Sequence, residues 1–501
     1  MVSKVQKRSF TEGPLFFRMI LFALPIIATG LLQTMYTMAD NIVVGRFSGD
    51  ETALGSVGST TALTSLSINL LIGISAGASV VISQAYGAKQ DKIVSRAVRT
   101  SLTFALAGGI VFMLLGLILS EPVLKLMKTE TAYLDGAVLY YRLICIGIPA
   151  TAIYNFGAAI LRSVGDSKTP LIVLSTTGLV NVGCNFFFVI ACDMSVAGVA
   201  IATIIAQYLS AIAVVLVLIK NKAKCYGFSF KTLCFDWKLL GRILRYGVPS
   251  GLQSSLFSIS NMLLVSSINK LAVLKDAAGE LIYSNTIVTA NTISSNVDAL
   301  TFVTCNSFHH AAMTFVGQNY GAKKPDRIKR VIPYALIQVI VFGIAMSMTE
   351  LVFSDFLISL FVDPRLDPEV IKQISRQAKE IMSLLLSFYF LCGVMDVFSG
   401  VAKGLGYSFT PMIMSLAGIC GLRAFWVFVV FPNFMSPLGL LTCYPVSWST
   451  TIVLLASLVI YAVRKKLRPM AKAQTEPPAE DTPQGEISEL LEAEVSKEET
   501  V

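Results

Sequence analysis

Residues 84–93 read "QAYGAKQDKI", and 234 positions after the first of them residues 318–328 read "QNYGAKKPDRI". Two more pairs share this relation. "LRSVGDSKTP" (161–170) aligns with "AKGLGYSFTP" (402–411), matching Gly165, Ser167, Thr169 and Pro170 to Gly406, Ser408, Thr410 and Pro411. "RMILFALP" (18–25) aligns with "RILRYGVP" (242–249). The offset grows from 224 to 234 to 241, as it must if the second half has longer loops at one end. The chain is two homologous halves. The repeated hexapeptide reads as a turn: Gly87 or Gly321 ends a helix, Lys89 or Lys323 stays in water, and Asp91 or Asp326 opens the next helix. No chemistry is expected of it.

What repeats is a membrane unit. The chain is 54% hydrophobic and only 14% charged, where a soluble chain carries roughly 25% charged residues. Its apolar residues come in blocks long enough to cross about 30 Å of hydrocarbon at 1.5 Å per residue. Twelve spans are expected, near 16–44, 53–84, 93–119, 133–161, 169–190, 196–219, 242–268, 283–318, 331–354, 378–402, 408–431 and 437–463. The fold class is therefore all-α and integral to the membrane, with two six-helix bundles, 16–219 and 242–463. A cytoplasmic N-terminus (1–15), a cytoplasmic linker (220–241) and an acidic, disordered cytoplasmic tail (464–501) complete the expected domains.

With the N-terminus inside, the inner segments hold 28 Lys and Arg and the outer segments 9. That bias places both termini in the cytoplasm of a multi-pass cell-membrane protein. The formal net charge of +9 follows the same pattern and does not mark a nucleic-acid binder. The nine cysteines are scattered, without CxxC or metal-ligand spacing, so neither disulfides nor zinc are expected. No cleavage site follows the first apolar run, which reads as a retained span.

Spans two ("GSVGSTTALTSLSINLLIGISAGASVVISQ") and eight ("SNTIVTANTISSNVDALTFVTCNSFHHAAMTFVGQ") are poor by hydropathy. Ser, Thr, Asn and Asp at that density are tolerated only where a helix faces protein or a water-filled cavity. The two spans hold the same place in each half. Six is even, so both halves enter from one side and their pseudo-twofold axis lies along the membrane normal. Transporters whose halves rock about a central site are built this way.

These residues resemble the multidrug and toxic compound extrusion (MATE) family of cation-coupled exporters. The resemblance rests on "LPIIATGLLQTMYTMADNIVVGRFSGDETALGSVG" with Pro25, Asp40, Val44 and Gly45, on the two Q-x-Y-G-A-K turns and on the G-D-S-K-T-P loop. It covers about residues 14–465. It implies twelve helices around a V-shaped cavity, exporting amphipathic organic cations or drugs against inward Na⁺ or H⁺. By resemblance Asp40, Asn181, Asn185 and Thr203 lie where the family's N-half cation site lies, and Asp396 matches an ion-linked Asp of the sodium-coupled branch. The chain departs from one branch in having Asn185 where that branch has Asp. It departs from the sodium-coupled branch in having no acid in "PSGLQSSLFSISN" (249–261).

The residues support that reading on their own terms. Asp40 is the sole acid between Glu12 and Asp50, and Gln33, Tyr36, Thr37 and Asp40 share one helical face. An ionised carboxylate at mid-bilayer costs about 3 kcal/mol or more, so this face must meet a cavity or a partner. The alternative is a carboxylate that merely reaches solvent at the span's outer end. Asn155, Thr203 and Gln207 could complete an oxygen-rich set with Thr177, Asn181 and Asn185, fit for H⁺ or Na⁺ at Asp40; interhelical hydrogen bonding is the bland reading. In the second half Asp298 and Asp396 are further candidates, although Asp298 could instead pair with Arg423.

"GISAG" (73–77) fits G-x-S-x-G but lies in an apolar helix, not a strand–turn–helix. No Walker A motif is present. The chain is expected to be no enzyme, to need no organic cofactor, to meet small organic cations and membrane lipid but no nucleic acid, and to act as a monomer. A lipid-linked precursor flippase of the same superfamily is the rival; it would favour a strongly basic cavity to hold a pyrophosphate, whereas the central spans here carry acids, and Arg142 and Arg423 are few.

Overall fold

A computed structural model describes residues 9–47, 53–127, 129, 131–194, 196–229, 235–273, 285–362 and 365–475. They form twelve span-length rods and no strand. In order these are Leu15–Phe47, Ala53–Gly87, Asp91–Leu126, Thr131–Ser163, Lys168–Ala191, Val196–Lys220, Trp237–Ala272, Thr286–Gly321, Pro325–Val352, Pro368–Gly404, Phe409–Asn433 and 437–475. A short helix, Ser354–Ser359, follows span nine.

Ten rods are long and apolar enough to cross a membrane. The two that are not are seven and eight, whereas two and eight were expected. Span two is rescued by its apolar second half. Span seven is diluted by serines, most of which spend their hydroxyls on their own helix: Ser250, Ser254, Ser258 and Ser267 each donate to the carbonyl four residues back. A serine that bonds this way adds polarity to the sequence without leaving a polar group unmet in the membrane.

Span seven also starts early. Asp236 caps it, Oδ1 accepting from the amides of Lys238 and Leu239 at 3.1 Å each, so the helix begins at Trp237 and not near 242. The expected linker is shortened accordingly, and Tyr226 and Phe228 within it are buried in the core of the first half. Residues 230–234 of the linker and residues 1–8 of the N-terminus lie outside the described residues. At the other end, residues 464–475 are helical where a disordered tail was expected to begin. This segment is basic, not acidic: Leu467 is fully buried, and Lys466 donates to the Leu405 carbonyl at 3.0 Å and lies over the ring of Tyr407. The acidic stretch itself, 476–501, lies outside the described residues.

The repeated hexapeptide does more than turn. The helices end at Gly87 and Gly321, but the left-handed residues are Lys89 (φ 58°) and Lys323 (φ 53°). The hydrogen bonds around each are the same, Lys89 to Tyr86 and Gln90 to Ala85 in one half, Lys323 to Tyr320 and Lys324 to Asn319 in the other. The glycines serve a different need. A Cβ on Gly87 would strike the backbone of Gln318, and a Cβ on Gly321 would strike the backbone of Gln84. Spans two and eight thus meet main chain to main chain, and each passes a glutamine across. Gln84 Nε2 donates to the Gly404 carbonyl at 2.9 Å, and Gln318 Nε2 donates to the Ser163 carbonyl at 2.7 Å. Gln84 and Gln318 are repeat mates, as are Ser163 and Gly404. The expectation that this motif only marks a turn is corrected: it closes one end of the molecule.

Two seams extend that closure toward mid-span. Span two lies on span seven, where a Cβ at Gly73 would fall on Gly251 and one at Gly77 on Ile243 and Gly247; higher up, Asn69 donates to Ser258 at 3.0 Å. Span eight lies on span one through Met19, Phe22, Ile26, Phe308 and Phe315. Phe10 stacks on Phe315 with ring centroids 3.8 Å apart, while its amide donates to Gln318 Oε1. Toward the opposite end each half packs on its own core, the second around Leu264, Ile287, Tyr389 and Trp448. The halves enclose a wedge, shut at the end that carries the basic turns.

Replacing Gly73 by Leu should force spans two and seven apart and lower stability by about 1–3 kcal/mol. Gly241→Leu, where a Cβ meets nothing within 4 Å, should be neutral. Thermal unfolding of the two purified variants checks the seam.

Candidate functional site

Asp40 lies in the C-terminal part of span one and is partly buried. Span one leans on span eight at the closed end, then crosses to span five, where the ring of Tyr36 fills the space that a side chain at Gly178 would take. The Tyr36 hydroxyl donates to the Ser175 carbonyl at 3.2 Å. This contact sets the rotation of span one and turns the Asp40 carboxylate toward span five. There Asn185 Nδ2 donates to Asp40 Oδ1. The same Nδ2 stands 3.5 Å from Asn181 Oδ1, the limit of a hydrogen bond. Asn185 is fully buried and Asn181 nearly so.

Span six closes the other side. Thr177 Oγ1 and Ser210 Oγ are 2.7 Å apart and hold span five to span six. Thr203 reaches the Asp40 carboxylate, but outside good hydrogen-bond geometry, and among the described residues its buried hydroxyl has no partner. Asn185 Oδ1 is also buried without a partner among them. Immediately after Asn185 the helix widens into a π segment, Phe186–Ala191, a distortion frequent at functional sites. Asp40, Asn181, Asn185 and Thr203 therefore form one group with one carboxylate and unmet neutral oxygens, a donor set that suits a hard cation or a proton.

The other sequence candidates stand apart from it. Gln33 is exposed. Asn155 donates to the Thr151 carbonyl on its own helix at 2.9 Å. Gln207 Oε1 is buried and unpartnered beside Gly147. In the second half, Asp396 accepts from Asn306 Nδ2 at 3.1 Å. Asp298 makes no hydrogen bond to a described residue; Glu350, Tyr389 and Tyr444 are its polar neighbours. The pairing of Asp298 with Arg423 is not formed. Arg423 instead donates to Asn261 Oδ1 at 2.7 Å and covers the ring of Tyr444 at 4.2 Å.

Two residues escaped the sequence reading. Tyr140 of span four stands near Asp40, and nothing in a lone tyrosine announces that. Glu350 is 1% exposed and accepts from Thr301 Oγ1 at 2.8 Å. As an acid inside an apolar span it could have been found by the argument applied to Asp40. Ser75 of the G-x-S-x-G pattern donates to the Ile72 carbonyl within its helix. Among the described residues no three His, Cys, Asp or Glu side chains are grouped to hold a metal ion.

The fold and this site define a membrane transporter of two pseudo-symmetric six-helix halves. The MatE family model matches residues 25–187 and 249–429, and the chain belongs to that family. Probable multidrug resistance protein YoeA of Bacillus subtilis is 26% identical, with 89% of this chain and 94% of YoeA covered. Probable multidrug resistance protein NorM of Thermotoga maritima is also 26% identical, with 84% and 87% covered. Among solved structures, the outward-facing conformation of a multidrug resistance MATE family transporter superposes with a TM-score of 0.81 at 19% identity. It covers 94% of this chain and 99% of that one.

Asn185→Leu should strand the Asp40 carboxylate and cost about 1–3 kcal/mol. In an Asp40→Asn background the same change should cost clearly less, because no charge is left to strand. A double-mutant cycle on thermal unfolding reads the difference, and equal costs in both backgrounds would dissolve the pair.

Proposed function

We propose that this chain is a secondary antiporter that exports amphipathic organic cations or drugs in exchange for inward H⁺ or Na⁺. The observation that carries this reading is a half-buried carboxylate, Asp40, held by an amide and flanked by unmet oxygens, in a wedge open at one end only. Such an arrangement binds a small cation and must change when the cation leaves. The two bundles, 16–219 and 242–463, are the bodies that rock, joined through 220–241. The basic end, with both termini, faces the cytoplasm of the cell membrane, so the wedge described here faces outward. The relatives named for multidrug resistance support a drug-like cargo. None of those relatives is named for lipid-linked precursors, and the flippase reading is not favoured.

Asp40 is proposed as the coupling residue, with Asn181, Asn185 and Thr203 completing its oxygens and Tyr36 fixing its orientation. Asp396, Asp298, Asn155 and Gln33 are proposed to line the route at other depths. With Asn185 an amide, the N-half site holds one carboxylate, which lowers its attraction for Na⁺ and favours H⁺. The protein acts as a monomer and needs no organic cofactor.

The test is uphill efflux from proteoliposomes under a pH or a Na⁺ gradient, imposed one at a time. Wild-type protein should respond to the pH gradient, and Asp40→Asn should reduce efflux to passive leak. The variant should keep its thermal stability, because removing a costly buried charge is often neutral or stabilising. Uphill efflux by folded Asp40→Asn protein at close to the wild-type rate would remove the coupling role. Efflux that needs Na⁺ and ignores pH would reverse the choice of ion.

A further inference from the structure

Arg162 and Lys403 lie at the shut end of the wedge, and the coupling chemistry at Asp40 uses neither. They end spans four and ten and are repeat mates under the 241-residue offset. Each stands one residue before a carbonyl gripped by a crossing glutamine, Ser163 for Gln318 and Gly404 for Gln84. Both spans run toward the closed end, and side chains on a helix lean back toward its N-terminus. The two cations therefore lean away from the seal and back toward mid-span. Their neighbours agree with that direction. Arg162 reaches Tyr154, two turns back, and Lys403 is within electrostatic reach of Asp396, also two turns back.

His310 of span eight lies within reach of both cations. Its ring centroid is 5.4 Å from that of His309, whose Nδ1 is fixed 2.8 Å from the Asp396 carbonyl oxygen. Lys403 is only 6% exposed. Among the described residues, Arg162, Lys403 and His310 make no side-chain hydrogen bond and no ion pair within 4 Å. Asp396 is the one acid that acts on Lys403, and it is shared with Asn306; no acid among the described residues acts on Arg162. Two sheltered cations at related positions, facing at most one shared carboxylate, carry a standing electrostatic cost that a bound anion would offset.

We infer that the floor of the wedge is an anion subsite: Arg162 and Lys403, with His310 between them, hold a carboxylate or phosphate group of the exported compound. A guanidinium presents a planar fork to such a group and an ammonium a point charge, so the pair accepts either geometry. This inference rests on the exporter reading and narrows it. The favoured cargo is not a simple cation but a compound with an acid group as well as a cationic or aromatic body.

The experiment is equilibrium binding of two rhodamine dyes, one with a free carboxylate and the other its ethyl ester, to purified full-length protein in phosphatidylcholine nanodiscs. No gradient is applied, so the result is independent of whether Asp40 couples transport. Wild-type protein should favour the acid by about tenfold, the equivalent of one charge-assisted contact. Arg162→Gln and Lys403→Gln should each weaken the acid by about tenfold and leave the ester unchanged, while Lys403→Arg keeps the preference. Should a glutamine variant not fold, the wild-type preference and its survival in Lys403→Arg decide alone. Equal binding of acid and ester by wild-type protein, or equal weakening of both dyes in the variants, would overturn the inference. Discs of phosphatidylglycerol separate the two sources of anion: loss of the acid preference there would assign the subsite to lipid headgroups and overturn the claim for cargo.

Discussion

The meeting of spans two and eight, backbone against backbone, is the constraint on which the rest of the structure depends. Helix axes usually stand 8–10 Å apart because side chains intervene. Gly87 and Gly321 remove those side chains where the two helices touch, and nothing larger fits. At that spacing each glutamine can reach past its neighbour to a carbonyl at the end of a helix in the other half. Those carbonyls belong to the last turns of spans four and ten, which have no partner within their own helices and would otherwise need water. The closure is therefore made of contacts that exist only while the ends are together. Water can replace every one of them when the ends part.

That property makes the closure reversible, and reversibility is what a rocking transporter needs. The seams above it are different in kind. Span two on span seven and span eight on span one are continuous, with small residues along the first and aromatic rings along the second. They hold the halves together at mid-span, where the pivot of the proposed rocking would lie. Asp40 sits beyond the pivot, on the stretch of span one that has crossed to span five. A change in the charge of Asp40 acts on the packing of Tyr36 against Gly178 and on the hydrogen bond to Asn185. Span one also touches the closure through Phe22, whose ring meets those of Phe10 and Phe315. One helix thus joins the proposed cation site to the closed end, a physical link through which binding at one could bias the other.

Much of this was legible in the sequence. The repeat, the twelve spans and the grouping of Asp40 with Asn181, Asn185 and Thr203 follow from periodicity, span-length hydropathy and the rarity of acids in hydrocarbon, together with the family resemblance. What could not be read was how two copies of one motif meet. Gln84 and Gln318 look like ordinary polar residues at a membrane face, and their role exists only once the halves are placed about their axis. The glycines do end their helices, as expected, but their second role was hidden for the same reason, because a helix end and a close crossing leave the same letter. Span seven was taken as ordinary, yet it scores poorly because hydropathy counts a serine as polar even when its hydroxyl is bonded to its own helix. Arg162 and Lys403 were counted as loop charges that orient the protein. Their lean back from the closed end depends on helix direction, which a charge count ignores.

The most direct test of the account is a tether across the closed end. Ala88 and Ala322 follow the two crossing glycines and can be changed to cysteine in a chain whose natural cysteines are replaced. A short, reducible crosslinker between them would hold spans two and eight together. The account expects the tethered protein to bind dye from the outer face but to export none, with efflux returning once the link is cleaved. Full-rate efflux by completely tethered protein would contradict it, since transport would then proceed without the gate ever opening.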